Sequence, residues 1–231
     1  MTRAAIVLQA RMGSTRLPGK VLRFLGPFTL LGHCIRRLQA ADVGPVIVAT
    51  TCLPADDAVV AEAEQFGCLA YRGETDDVLA RYVGAAALVP SRYVIRATAD
   101  NPAVDIGSAG RLLQAMEHAG AEYGVEQGLP YGGAVEVIAT GTLRRLADLT
   151  VDPADREHVT LFVKRQPFAF FSIAPAAPAD VRRPDVRVTV DTLEDAAFMA
   201  NVLDRVDTRL APPSLGAILA AIDVMSWQRA A

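Results

Sequence analysis

The stretch Leu8-Gln9-Ala10-Arg11-Met12-Gly13-Ser14-Thr15-Arg16-Leu17-Pro18-Gly19-Lys20 decides how this chain is read. It follows an apolar run, Ala4 to Leu8, of strand length and strand composition. Two glycines, two hydroxyls, two arginines and a lysine crowd the turn that comes next. Glycines let a ligand approach the backbone, amides supply donors, and the cations neutralise charge. A strand that feeds such a loop predicts a cradle for an anion, and a nucleoside polyphosphate suits it best.

Lysine usage sharpens the reading. The chain has 23 Lys and Arg together, and only Lys20 and Lys164 are lysines. A lysine kept inside the basic loop marks a place for a compact point charge. Counting excludes two common phosphate loops. A Walker A loop places four residues between its glycines and Ser or Thr after the lysine. Here five residues separate Gly13 from Gly19, and Val21 follows Lys20. The dinucleotide turn needs G-x-G-x-x-G, and the loop has no G-x-G.

Residues 9 to 22, Q-A-R-x-G-S-T-R-L-P-G-K-V-L, resemble the signature of CTP-dependent cytidylyltransferases that make CMP-activated acids. The branch most similar is the spore coat polysaccharide protein F type, related to CMP-sialate and CMP-Kdo synthetases. Sugar-1-phosphate nucleotidyltransferases usually carry A-G-G where this chain has Gln9-Ala10-Arg11. The resemblance runs in matching order from Ala4 to about Val206.

Bulk properties narrow the class. At 231 residues the chain fits one nucleotidyltransferase domain, 1–231, and 52% hydrophobic content supplies a core. A net charge of −3 offers no basic field for nucleic acid. Cys34, Cys52 and Cys68 lack metal-ligand spacing and are odd in number, so buried thiols are expected rather than disulfides. No signal peptide or spanning segment is visible, and the expectation is a cytoplasmic protein without membrane contact.

The pattern along the chain is α/β. Strands are predicted at Ala4–Leu8, Val46–Thr50, Cys68–Tyr71 and Tyr93–Arg96, and helices at Pro27–Ala40, Asp56–Phe66, Asp76–Leu88 and Ile106–Ala119. Continuous apolar strands between helices imply a doubly wound, mainly parallel sheet covered on both faces. Ligands in such sheets bind beyond the carboxyl ends of the strands. The segment from about 123 to 178 reads as a small antiparallel extension, with a strand at Ala134–Ala139 and aromatics at 168–171. In the resembled family this part serves the acceptor side and the dimer interface, so a homodimer is expected. An ordinary extension with core aromatics is the alternative. A strand at Val186–Val190 and two helices complete the reading.

Arg11, Arg16 and Lys20 are the candidate triphosphate and catalytic cations, with Gly13, Ser14, Thr15 and their amides as neutral partners. Asp100 follows a strand in Ala97-Thr98-Ala99-Asp100-Asn101-Pro102, where proline blocks continuation. This resembles the family's G-D-x-P motif, whose aspartate binds magnesium, although Ala99 replaces the glycine and Asn101 stands where the branch often has cysteine. A helix cap is the competing role, and Asp105 serves it equally well. Asp191, in Val188-Thr189-Val190-Asp191-Thr192-Leu193-Glu194-Asp195, resembles V-D-T-P-E-D with Leu193 in place of proline. Thr192 with Asp195 fits a helix cap, which leaves Asp191 to share Mg²⁺ with Asp100.

For the nucleobase, Leu8 and Ala10 offer backbone groups, and Thr75, Asp77 and Arg81 lie in a segment resembling the family's base-side stretch, with Thr98 beside them. The alternative makes residues 75 to 81 a helix cap and a solvated face. Cytosine rests on the resemblance alone. On the acceptor side the candidates are Glu136, in Gly133-Ala134-Val135-Glu136-Val137, and the segment Arg156-Glu157-His158-Val159-Thr160, which resembles the branch's R-E-H-V-T motif. Arg156 and His158 suit a small anionic acceptor, a sugar acid or a phosphonate. His33 and His118 read as structural.

The expectation is CMP transfer from CTP with release of pyrophosphate. Two alternatives stand beside it, a catalytically silent nucleotide-binding subunit and a sugar-1-phosphate nucleotidyltransferase.

Overall fold

The computed structural model describes residues 2–230, with side chains through residue 225. Seven strands form one sheet in the order β5-β4-β1-β6-β8-β7-β9. They are β1 (Thr2–Gln9), β4 (Val46–Thr51), β5 (Leu69–Gly73), β6 (Ser91–Thr98), β7 (Tyr123–Val125), β8 (Glu136–Ala139) and β9 (Ser172–Ile173), while β2 (Phe24–Leu25) and β3 (Phe28–Thr29) form a separate hairpin. Strands β5, β4, β1 and β6 are parallel, and β8 runs antiparallel to β6 and β7. The mainly parallel, doubly wound sheet expected from the sequence is therefore present, with its antiparallel side in the 123–178 segment.

The helices are α1 (Leu30–Ala40), α2 (Asp57–Gln65), α3 (Val78–Leu88), α4 (Ile106–Ala119), α5 (Thr140–Leu149), α6 (Pro153–His158), α7 (Leu161–Arg165), α8 (Leu193–Leu203) and α9 (Leu215–Ala230). Strand β1 explains the two layers. Its residues Ala4 through Leu8 are fully buried. Ala4, Ile6 and Leu8 face α1, α2, α4, α8 and α9. Ala5 and Val7 face α3, α5 and α7. A strand with apolar side chains on both faces has to be covered twice, which is why its sequence does not alternate.

Chain order runs outward from β1 to β4 and β5, then returns to place β6 on the other side of β1. The order reverses between β1 and β6, and a crevice opens there beyond the strand ends.

Three local expectations are corrected. Pro27–Ala40 is not one helix: Phe28 and Thr29 pair with the preceding hairpin strand, and Thr29 Oγ1 accepts from Gly32 N to start α1. Val186–Val190 is extended but joins no sheet. It is a strap bonded to Tyr131 and to Asp100 O through Val188 N (2.9 Å) and Val190 N (2.7 Å). Cys34 and Cys68 are buried, but Cys52 is exposed. The 168–171 aromatics divide, with Phe170 buried and Phe168 and Phe171 exposed. Among the described residues no helix is long and apolar enough to cross a membrane.

Candidate active site

A cavity of about 890 Å³ occupies the crevice at the switch point. Strand β1 delivers Gln9, Ala10 and the basic loop to it, and β6 delivers Arg96, Thr98 and Asp100. The loop backbone is only partly engaged. Met12 N donates to Asp56 Oδ1 at 2.7 Å, and Met12 O accepts from Ser14 N and Gly19 N. The amides of Arg11, Gly13, Thr15 and Arg16 have no intramolecular acceptor among the described residues. Gly13 has no atom within 4 Å of where a Cβ would project, so nothing inside the protein demands a glycine there.

Lys20 stands at the centre. Its Nζ donates to Asp191 Oδ1 (3.0 Å), Asp100 Oδ2 (3.3 Å) and Val190 O (2.9 Å). The basic loop, the end of β6 and the strap before α8 thus meet on one ammonium. Arg16 reaches Asp191 Oδ1 at 2.9 Å, and Arg187 reaches Oδ2 at 2.6 Å. Burial alone would raise the Asp191 pKa, but Lys20, Arg16 and Arg187 bring it below the ordinary aspartate value. Thr98 Oγ1 donates to Asp100 Oδ1 at 2.6 Å, and Asn101 Nδ2 donates to Thr98 Oγ1 at 2.8 Å. Asn101 therefore buttresses the aspartate from within. The helix-cap role near Asp191 belongs to its neighbours, because Thr192 and Asp195 form a complete capping box on α8.

The donor chemistry fits a hard divalent cation. Three oxygens from Asp100, Val190 and Asp191 already gather around one positive charge, that of Lys20. Carboxylate and carbonyl oxygens are what magnesium and manganese prefer. No cluster of three or more His, Cys, Asp or Glu exists among the described residues, so phosphate oxygens and water would complete the shell.

The far wall carries a second charged group. Glu136 is buried and takes bonds from Arg96 (2.7 Å), Lys164 (2.5 Å), Tyr123 Oη (2.7 Å) and Thr160 Oγ1 (3.0 Å). Burial favours the neutral acid, but Arg96 and Lys164 overcome it and hold the Glu136 pKa down to about 2. Glu136 lines the cavity as an internally neutralised carboxylate rather than as an open acceptor. Glu157 and His158 line the same end and are exposed.

Four expectations for base and acceptor residues are corrected, and Leu8 is a fifth. Leu8 is buried in the ladder between β4 and β6, and Gln9 lines the cavity instead. Thr75, Asp77 and Arg81 lie outside it. Asp77 caps α3 by accepting from Ala80 N at 2.8 Å, and Arg81 is buried with its Nη1 on the Glu74 and Thr75 carbonyls (2.6 and 2.9 Å). Their link to the loop is indirect, through Arg11 Nη1 on Thr75 O at 3.4 Å. Arg156 faces a separate depression beside Asp77 and does not join His158.

Arg96, Tyr131 and Arg187 were not anticipated. Arg96 has the same strand parity as Thr98, a signal present in the sequence. Arg187 stacks on Tyr131, 4.8 Å from its ring centroid, and its reach to Asp191 depends on the strap, which has no local signature. His33 is structural as expected, buried with Nε2 at 2.7 Å from Leu25 O.

A mainly parallel sheet with a basic loop and two aspartates, one closing β6 and one closing the strap, at its switch point defines a nucleotide-handling α/β enzyme. The chain belongs to the cytidylyltransferase family, whose model matches residues 4–217. It is 34% identical over 195 residues to the spore coat polysaccharide biosynthesis protein SpsF of Bacillus subtilis (strain 168), covering 82% of this chain and 81% of that protein. A cytidylyltransferase structure from Leptospira borgpetersenii serovar Hardjo-bovis (strain JB197) superposes with a TM-score of 0.88 at 25% identity, covering all of this chain (100%) and 96% of that one. A CMP:2-keto-3-deoxy-manno-octonic acid synthetase complexed with CTP shares the fold, with a TM-score of 0.63 at 21% identity and coverage of 86% and 99%. The chain is accordingly a nucleotidyltransferase.

Proposed function

We propose that this enzyme transfers CMP from CTP to a small anionic acceptor, releasing pyrophosphate, with Mg²⁺ as the metal. The observation that carries the reading is Lys20 bridging Asp100 and Asp191 beside a loop with unengaged amides. In the reaction an acceptor oxygen attacks the α-phosphorus in line. The bond from that phosphorus to the bridging oxygen breaks, and pyrophosphate leaves with the electron pair, while a hydroxyl acceptor gives its proton to solvent and a phosphonate attacks as the anion.

The loop amides, Ser14, Thr15, Arg11 and Arg16 bind the triphosphate, and Gly13 lets it approach the backbone. Arg16 and Lys20 face the charge that develops on the leaving pyrophosphate. Magnesium, when bound by Asp100 and Asp191, supplies Lewis-acid stabilisation of phosphate oxygens. Lys20 holds both carboxylates in place until then. Glu157 and His158 face the acceptor, and the Arg96–Glu136–Lys164 group forms a rigid polar wall behind it. A sugar acid is the preferred acceptor over a phosphonate, because a cavity of about 890 Å³ has room for a nucleotide and a hexose-sized partner. The proposal includes a cytoplasmic homodimer, for which exposed Phe168 and Phe171 supply apolar surface on the extension.

The test is pyrophosphate release from the chain incubated with magnesium, each of the four nucleoside triphosphates, and a panel of sugar acids and small phosphonates. Release with CTP and one acceptor class is expected. CTP binding without release across the whole panel would sink the catalytic reading.

A further inference from the structure

The segment that carries Glu157 and His158 turns in an unusual way. Val159 has φ 53° and ψ −59°, and Thr160 N donates to His158 O at 2.5 Å. That is a three-residue turn of the rare kind with positive φ at its centre. A β-branched residue avoids this conformation, and it persists only where the surroundings over-determine it. Val159 is also buried, packed in the layer with α3 and α5, so it has no freedom to relax toward solvent.

Both flanks of the turn are pinned. After it, Thr160 Oγ1 donates to Glu136 Oε2 at 3.0 Å. Before it, the Arg156 guanidinium is engaged at all three nitrogens. Nε donates to Asp77 Oδ2 at 2.9 Å and Nη2 reaches the same oxygen. Nη1 donates to Ala147 O at 2.8 Å and to Thr150 O at 3.4 Å. None of these donors is directed to the cavity, while the next two residues both line it.

We propose that Arg156 is a positioning residue, which with Asp77 clamps the strained Val159 turn and so sets Glu157 and His158 against the acceptor without touching it. This rests on the reading of that cavity end as the acceptor site. Asp77 gives the clamp a second meaning. It follows the Glu74–Thr75 backbone that Arg11 and Arg81 hold, so the ion pair ties the loop beside Arg11 to the helix on the acceptor side.

The clamp is tested first with neither nucleotide nor acceptor present. The 231-residue chain has three histidines, and NMR of their labelled ring carbons resolves each, with His158→Gln assigning the one of interest. Asp77→Ser is the informative variant: serine still caps α3 but is too short to reach Arg156. Asp77→Ser, Arg156→Ala and the double variant are expected to move the His158 resonance alike, without additivity. His33 and His118, on helices of the opposite layer, stay in place. Arg156→Lys restores a single charge contact and brings the resonance part of the way back.

In the pyrophosphate assay both single variants lower kcat/KM for the acceptor by about 10²-fold, the scale of a misplaced reacting group. KM for CTP is unchanged. An unmoved His158 in Asp77→Ser overturns the proposal. So does an acceptor defect in Arg156→Ala that Asp77→Ser lacks, since that pattern belongs to a direct contact. A wild-type chain that releases no pyrophosphate would remove the proposed function and leave the histidine spectrum to decide the clamp.

Discussion

Lys20 and Asp191 are 171 residues apart in the chain and 3.0 Å apart in the fold. Asp100 joins them from the carboxyl end of the neighbouring strand β6 at 3.3 Å, and Val190 O takes the third proton of the ammonium. An ammonium with three oxygen acceptors is fully engaged. Its first effect is to hold two neighbouring carboxylates together, and its second is to stand where negative charge builds as pyrophosphate leaves.

Removing that charge is therefore expected to damage the chemistry more than the fold. Lys20→Ala should lower the rate of pyrophosphate release by about 10²–10³-fold, as for loss of one preorganised transition-state donor. Lys20→Arg should not restore it, because a planar fork cannot take three acceptors around one point. Steady-state kinetics beside a circular dichroism melt measures both. An alanine variant with wild-type turnover would remove Lys20 from the mechanism.

Glu136 predicts a signature in stability rather than turnover. Its pKa in the folded chain is depressed to about 2, against about 4.3 for an ordinary glutamate. A depressed carboxylate stabilises the fold above the ordinary value and loses that contribution as pH falls toward the folded one. Denaturant midpoints should thus fall between about pH 4 and pH 2 in the wild type. Glu136→Gln should cost on the order of 3 kcal/mol at neutral pH, the charge contribution that a carboxylate depressed to about 2 makes to the fold. The gap between variant and wild type should then close as the pH drops through that window. A gap that stays constant with pH would mean the carboxylate charge is not what holds this wall.

The proposed metal is open to a direct test. Chelation should abolish pyrophosphate release, and added magnesium should restore it. Manganese binding in the presence of CTP, followed by electron paramagnetic resonance, should weaken about tenfold or more in Asp100→Asn, since one of two carboxylate ligands is lost. Undiminished manganese affinity in both Asp100→Asn and Asp191→Asn would move the metal elsewhere.

What the sequence displays locally, the fold keeps. The buried strand β1, the basic loop after it and the aspartates closing β6 and the strap were legible because each is a short pattern with one physical meaning. The capping box at Thr192 and Asp195 was legible for the same reason. What failed depends on partners distant in the chain. Arg156 and His158 read as one acceptor motif, yet they stand two positions apart on α6, and the helical period turns them toward different depressions. Thr75, Asp77 and Arg81 read equally well as a base pocket or as a helix cap with a solvated face, and the fold follows neither fully: Asp77 rather than Thr75 caps α3, and Arg81 is buried. Phe28 and Thr29 carry no mark of a hairpin apart from Gly26-Pro27 before them. Val186–Val190 has strand composition, but no sheet edge lies beside it. Arg187 has no local motif because its two partners, Tyr131 and Asp191, meet it only through that strap.

Two glycines of the site separate folding from binding. Gly132 has φ +92°, and a Cβ there would come within 2.8 Å of Asn101 Oδ1 and 3.0 Å of Thr189 N. The strap cannot give way easily, since Val190 N and Thr189 Oγ1 both bond Asp100 O. Gly132→Ala should cost on the order of 1–3 kcal/mol for the forced backbone. By pushing Thr189 it should also spoil the placement of Asp191 two residues on, so turnover falls with stability. Gly13 is the opposite case. A Cβ at Gly13 meets open space and the backbone needs no positive φ, so Gly13→Ala should melt with the wild type. Its effect should fall on KM for CTP, because the added methyl stands where the triphosphate is proposed to approach the loop. Thermal melts and CTP titrations of the two variants check the contrast. Wild-type CTP affinity in Gly13→Ala would mean that the phosphates do not approach the backbone at Gly13.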